Sequence, residues 1–455
     1  ELDPFDFVSG FEAIKAENDS EKKQKMLDDL NGLMRNFQEN YLMTARDFAQ
    51  WGVYEDAVLV LKQCTKKYPM LYYYAAYYEE KMGEDDAAKK SLEKAESCAF
   101  DYCFPNKLDD IAVLTFAIEN GCKKKAPYYL GNLFYDKLQW KKSVELWEMS
   151  KKTDDTFSIV HRNLALAYYN KMGDSKAAKR ELEKAFSLNR KDARIFLELD
   201  QLYKKLGYSF KERLAKYDED PSLAESRDDL YIEYITLMNM CGEYERAYRC
   251  IMGRRFHPWE GGEGKITTQY TISLLEMAKQ CLASEKYEQA EKLLKKALVY
   301  PENLGEGKLE GTKDNHLFYH LGLALEAQGK HDEAKTCFET ATIGTDEPAG
   351  AMYYNDQPAD MILYQGLAFE KLGKTREAKS RFYRLIDYGE QHLNDEGKIE
   401  YFAVSLPDFL IFDEDYTKKN RAHCCYLMAL GNIGLQNREK AAEFLNEALE
   451  IEPSH

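Results

Sequence analysis

Leu321-Gly322-Leu323-Ala324-Leu325, followed by Ala334-Lys335-Thr336-Cys337-Phe338-Glu339-Thr340-Ala341, is the stretch on which the fold of this 455-residue chain turns. Its spaced set is Leu321, Gly322, Leu325, Ala334, Phe338 and Ala341. The set recurs as Leu130, Gly131, Phe134, Ser143, Trp147 and Ser150, and as Thr44, Ala45, Phe48, Ala57, Leu61 and Cys64, followed by Pro69. Further copies are Met277, Ala278, Cys281, Ala290, Leu294 and Ala297, then Gln365, Gly366, Phe369, Ala378, Phe382 and Leu385, then Met428, Ala429, Ala441, Leu445, Ala448 and Pro453. With one inserted residue, Leu164, Ala165, Tyr168, Ala178, Leu182 and Ala185 fit; Tyr234, Met238, Ala247 and Ile251 form a weaker copy. Small residues at the Gly/Ala places let two antiparallel helices approach. Large residues at the Leu, Phe and Tyr places fill the gaps within a pair and to the next. No pair buries its apolar face alone, so pairs must stack.

This set resembles the tetratricopeptide repeat, and the resemblance covers nearly the whole chain. It implies an all-α fold, an α-solenoid of stacked antiparallel helix pairs. Gly83, Gly173, Gly207, Gly242 and Gly373 stand where helices should end, since Gly takes the left-handed conformation that closes a helix. Residues 5–40 and 104–125 read as helical but match the template poorly, and 204–228 is also irregular. We expect an N-terminal array over 1–216 and a C-terminal array with elongated loops over 217–455, forming one continuous solenoid.

The period changes along the chain. Ala247, Ala290, Ala334 and Ala378 lie 43 to 44 residues apart, whereas the usual unit has about 34. The extra residues fall after each second helix, near 253–266, 300–314 and 343–358, with a longer insertion near 387–419 before the last pair. Equivalent places in stacked repeats share an edge, so these loops should meet along one rim. Long loops in a compact scaffold are often functional.

Two of the loops share a design: Pro258 and Pro301 are each followed, after three residues, by Gly-Glu-Gly-Lys, ending at Lys265 and Lys308. The rim candidates for a ligand or partner are His257, Trp259, Glu260, Glu263, Glu302, Asn303, Glu306, Tyr353, Tyr354, Asn355, Asp356 and Asp408. Rings cover apolar sugar faces and carboxylates accept hydroxyl hydrogen bonds, so this palette suits polyhydroxylated ligands. It equally suits an extended peptide or another domain of the same protein. A plain structural use also stands: Gly permitting positive φ, rings plugging seams, and Glu residues at helix N-termini. The inner groove adds Tyr128, Asn132, Asn163, His316 and Tyr319.

The strings His257–Gly264, Pro301–Gly307, Met352–Pro358 and Tyr401–Phe409 resemble those of large bacterial tetratricopeptide proteins that carry an uncharacterised, aldose-epimerase-like β-domain upstream. The resemblance implies that this segment is their C-terminal helical part, and it suggests a sugar-related role residing upstream. The opening Glu1-Leu2-Asp3-Pro4 echoes Glu450-Ile451-Glu452-Pro453 at the end of an amphipathic helix, and from this we expect further chain before residue 1.

Composition narrows the function classes. A formal net charge of -16 argues against a phosphate-tracking nucleic-acid surface. No apolar run approaches the roughly twenty residues needed to span a bilayer. The ten Cys follow no metal or CxxC spacing, and we read them as small buried hydrophobes in a reducing cytoplasm. His316 and His320 are four apart, but no Glu follows His316 and no third ligand is evident; we expect His316 to face the groove and His320 the packing side. His257 with Glu260 and Glu263, or Glu263 with Glu306, could form an acid–base pair, yet no nucleophile elbow, Walker loop or dinucleotide fingerprint appears. Asn132, Asn163 and Arg194 fall near the places of a carboxylate clamp, but Tyr128 and Glu198 stand where it needs cations. The expectation is a non-enzymatic, cytoplasmic scaffold without cofactor or metal, binding a protein, a peptide or its own upstream domain. The alternative is a helical module that completes a carbohydrate-binding or glycoside-processing site.

Overall fold

The computed structural model describes residues 3–259, 261–348, 356–397 and 411–453. Among them lie twenty-four α-helices and one 3-10 turn. The chain divides into two compact units, Glu1–Asn189 and Arg190–His455.

The first unit contains α1 (Phe7–Ala16), α2 (Ser20–Met34), α3 (Gln38–Gln50), α4 (Tyr54–Gln63), α5 (Pro69–Lys81), α6 (Asp85–Ser97), α7 (Leu108–Glu119), α8 (Lys125–Asp136), α9 (Trp140–Thr153), α10 (Ser158–Asn170) and α11 (Ser175–Leu188). Helices α3/α4, α5/α6, α8/α9 and α10/α11 pack as antiparallel pairs, while α7 stands alone between α5 and α8. That extra helix is why 104–125 fits the template poorly. One continuous apolar core runs from Phe11 to Ala167.

The second unit opens on α12 (Ala193–Lys205), α13 (Phe210–Asp218) and the short α14 (Pro221–Glu225). Five pairs follow: α15 (Asp228–Met240) with α16 (Tyr244–Met252), α17 (Lys265–Ala283) with α18 (Tyr287–Ala297), α19 (Asn315–Ala327) with α20 (His331–Ala341), α21 (Met361–Lys371) with α22 (Thr375–His392), and α23 (Tyr416–Gly434) with α24 (Arg438–Ile451). First helices neighbour first helices: α15 touches α17, α17 touches α19, α19 touches α21, and α21 touches α23.

The spacing rule acts as a lock between the helices of a pair. A Cβ built on Gly131 would lie 2.5 Å from the Trp147 indole, one on Gly322 2.5 Å from the Phe338 ring, and one on Gly366 2.2 Å from the Phe382 ring. The large residue of each second helix therefore seats on the Gly of its first helix, and only the missing side chain makes room. The helix-ending glycines 83, 173, 207, 242 and 373 all have positive φ.

The longest insertion is shorter than its spacing suggested. Helix α22 continues to His392 and α23 begins at Tyr416, so both ends of the 387–419 stretch are helical. Among the described helices, none is long and apolar enough to cross a membrane.

Candidate functional site

The first elongated loop joins α16 to α17, and the second joins α18 to α19 through the 3-10 turn Glu302–Leu304. They dock on each other. The Phe256 N–H donates to the Asn303 carbonyl at 2.8 Å. The Asn303 Nδ2 donates to the Ile251 and Arg254 carbonyls at 2.8 and 2.9 Å, closing the end of α16. The Gly264 N–H, at the start of α17, donates to Glu306 Oε2 at 2.8 Å. Gly305 has φ +74, and a Cβ there would stand 2.5 Å from the Phe256 carbonyl oxygen. Close approach of two backbones, together with a left-handed φ, leaves room for glycine alone.

The twin Gly-Glu-Gly-Lys strings adopt different backbones. Gly264 is left-handed and caps α17, whereas its counterpart Gly307 is not left-handed; Gly305 is, while its counterpart Gly262 is not. The cause lies downstream: α17 begins at Lys265, but six further residues separate Lys308 from α19. One feature is shared. Each Lys folds back over its loop's aromatic ring, Lys265 over Trp259 at 5.9 Å and Lys308 over Tyr300 at 5.0 Å.

Glu263 and Glu306 approach closely enough to interact. Burial pushes the Glu306 carboxyl up, the Gly264 amide pulls it down, and Glu263 raises it further. Their oxygens serve the backbone, however: Glu263 Oε2 accepts from the Gly261 N–H at 2.8 Å. The Trp259 indole packs over Gly262, where a Cβ would lie 2.2 Å from it. His257 keeps an exposed ring, and its backbone N–H donates to Asp228 Oδ2 at 2.9 Å. Glu302 and Asp356 are exposed. Glu260, Tyr353, Tyr354, Asn355 and Asp408 lie outside the described residues.

Asn303→Ala removes the side-chain amide that donates to both the Ile251 and Arg254 carbonyls. Stranding them is expected to cost about 1–3 kcal/mol. The readout is faster amide hydrogen exchange at the end of α16 and the start of α17. Unchanged exchange there would mean that the loops dock without this side chain.

The described ends of the third and fourth loops are also tied down. The Thr345 carbonyl accepts from Gln357 Nε2 and Gln365 Nε2, both at 2.9 Å. Arg381 pairs with Asp346 at 3.0 Å and Arg384 with Glu347 at 2.8 Å. Glu414 pairs with Lys419 at 2.6 Å and with Lys205, which brings the loop before α23 to the end of α12.

The groove candidates sit on first helices. In the first unit, Asn132 Oδ1 accepts from Trp147 Nε1 and from Asn163 Nδ2, both at 3.1 Å. Tyr128 is buried, with its ring 5.1 Å from Phe157, and burial raises its phenol. In the second unit, His316, Tyr319 and His320 gather around Tyr364, with ring separations of 5.9, 6.1 and 5.7 Å. Both histidines pack on Tyr364 of α21, His320 buried and His316 half-buried. Burial, reinforced by the charges of His320 and Lys308, holds His316 down to about 4, so its ring is neutral at pH 7. Its Nδ1 is buried without a hydrogen-bond partner among the described residues.

Sequence reasoning missed Asp228, the first residue of α15, which anchors both His257 and Arg254.

The family model for the tetratricopeptide repeat matches residues 163–192, 316–342 and 422–455, and a second tetratricopeptide-repeat model matches 360–388. Among solved structures, the chain is similar to the human IFIT1 dimer with m7Gppp-AAAA, at 13% identity over 90% of this chain and 89% of that one, with a TM-score of 0.29. It is similar to Naa15/Naa10 bound to HypK-THB, at 10% identity over 98% of this chain and 75% of that one, with a TM-score of 0.28. It is also similar to a tetratricopeptide repeat protein from Parabacteroides merdae, at 18% identity over 63% of this chain and 98% of that one, with a TM-score of 0.26. The matched segments 163–192, 316–342, 360–388 and 422–455 coincide with α10/α11, α19/α20, the α21/α22 pair and α23/α24, and this chain carries tetratricopeptide repeats.

Proposed function

We propose that the chain is a protein-binding scaffold, which receives a partner protein, or a domain of its own parent protein, on its first-helix faces and on the docked loops beside them. The observation that carries this reading is the row of first helices α15, α17, α19, α21 and α23, each against the next. A row of this kind offers one continuous, side-chain-lined surface to an extended ligand, and repeat arrays use such surfaces for binding. The carbohydrate reading draws less support, because three of the candidate groups in the first two loops, Asn303, Glu263 and Glu306, are occupied by backbone partners.

The test is site-specific photo-crosslinking in cells. A benzophenone side chain is placed at Met43 on α3 and Thr268 on α17, both exposed on first helices, and at Leu59 on α4 and Tyr383 on α22, both exposed on second helices. Discrete adducts are expected from the first-helix positions and not from the second-helix ones. No adduct from any first-helix position would overturn the reading.

A further inference from the structure

Between α3, α5 and the approach to α7 lies a narrow cleft lined by Glu39, Met43, Arg46, Tyr74, Phe104 and Lys107. Two independent features single it out. The first is apolar exposure. Met43 is 56% exposed, Phe104 66% and Leu108 80%, and Leu108 directly follows Lys107 at the start of α7. Large apolar side chains grouped beside one cleft mark a surface that gains by being covered.

The second feature is an unmatched charge. Two carboxylates, Glu39 and Asp110, line the cleft, a third, Asp109, pairs with its Arg46, and of the three Asp109 and Asp110 are satisfied. Asp109 takes the Arg46 guanidinium, with Nε at 2.7 Å. Asp110 accepts from the Tyr74 hydroxyl at 2.6 Å and from the Asn106 and Lys107 N–H groups at 2.8 Å. Glu39 has neither a hydrogen bond nor an ion pair among the described residues. Burial raises its carboxyl, Asp110 raises it further, and Lys107 and Arg46 lower it. Because Arg46 is already committed to Asp109, the cleft holds a partly desolvated carboxylate with no cation of its own in contact.

From this juxtaposition we infer that the cleft is a docking site for an extended partner segment carrying Lys or Arg beside bulky apolar side chains, the cation meeting Glu39 and the apolar groups covering Met43, Phe104 and Leu108. The chain's net charge of -16 agrees in sign with a basic partner. This inference rests on the protein-binding reading and deepens it. A burial cost already met in the free protein makes pairing with Glu39 favourable, because the arriving cation need not desolvate that carboxylate in full.

The experiment uses the full chain and two fluorescein-labelled, end-blocked octapeptides. One has the sequence Ala-Ala-Phe-Ala-Lys-Leu-Ala-Ala; in the other Glu replaces Lys. Binding is read by fluorescence anisotropy at low salt. The Lys peptide is expected to bind about tenfold more tightly than the Glu peptide. Glu39→Gln should remove that difference, while Met43→Ser and Leu108→Ser should weaken both peptides. Glu439→Gln, on the exposed face of α24, controls for overall charge and should change nothing. A Lys preference that survives Glu39→Gln would assign the effect to general acidity and overturn the proposal. So would equal binding of the two peptides, indifference to both serine variants, or no binding of either peptide at about 1 mM. Failure here with first-helix crosslinks still observed would leave the scaffold reading intact and remove only this cleft; loss of both would remove the scaffold reading as well.

Discussion

Phe382→Ala is expected to destabilise the last two helix pairs by about 3–5 kcal/mol, at the upper end of core truncations. The ring is fully buried. It lies where Gly366 of α21 and Gly434 of α23 lack side chains, since a Cβ on either would approach it within 2.2 and 2.1 Å. The backbone is held as tightly, with the Phe382 carbonyl oxygen 2.5 Å from a Cβ built on Gly431. Helix α22 is thus pressed between α21 and α23, and one ring fills the space that two glycines leave open, while a third admits its backbone carbonyl. Truncating it creates a void walled largely by helix backbone, which has few side chains able to relax inward, so the site collapses poorly. Repeat arrays open locally and not as one unit, so the measurement is hydrogen exchange. Protection should fall across α21 to α24 and persist in α3 to α6, which belong to the other compact unit. A loss below about 1 kcal/mol, the scale of an ordinary substitution, would show that the ring is not the wedge described.

That wedge was legible in the sequence, and the reason is steric. Gly366 with Phe382, Gly322 with Phe338 and Gly131 with Trp147 each pair an absent side chain with a large one at a fixed spacing. Helix periodicity alone then places them in contact. The docking of the first two elongated loops followed from the period of 43 to 44 residues for a similar reason, since equal insertions at equal places end up adjacent. Conformation within the loops did not follow. Both carry Gly-Glu-Gly-Lys, yet a helix that begins at Lys265 and a turn that continues past Lys308 impose different φ angles on matching glycines. The contact that His316 and His320 share could not be read from their own helix. Tyr364, arriving from α21, is wide enough to touch both His316 and His320. The 387–419 stretch was read by register as insertion, whereas Tyr388 to His392 simply prolong α22. Glu39 and Phe104 carried no signal, because their importance lies in what fails to cover them, and α7 interrupts the repeat register there.

The other large effect is expected at Arg213, which joins three helices through charge. Its side chain is 2% exposed, as is that of Asp200. From α13 it donates to Asp200 on α12, Nε to Oδ1 at 2.9 Å and Nη2 to Oδ2 at 2.7 Å, and Nη2 also donates to Glu233 on α15 at 2.6 Å. Arg213→Met keeps much of the volume but leaves Asp200 buried with no cation, which is expected to cost about 3–5 kcal/mol. The pair as a whole contributes far less than that, because two ions were desolvated to form it. Arg213→Met combined with Asp200→Leu should therefore recover most of the loss. The pH dependence separates an unpaired charge from simple misfit. Burial raises the Asp200 carboxyl, and Arg213 opposes that rise. With Arg213 gone, the folded-state value stands well above the unfolded one. The folded state then binds a proton where the unfolded state does not, and stability rises as pH falls through the folded-state value. The deficit of Arg213→Met against wild type should shrink between pH 8 and about pH 5, measured by hydrogen exchange in α12, α13 and α15. A deficit independent of pH, or a double variant no better than the single one, would mean that Arg213 stabilises the start of this unit through its shape and not through its charge.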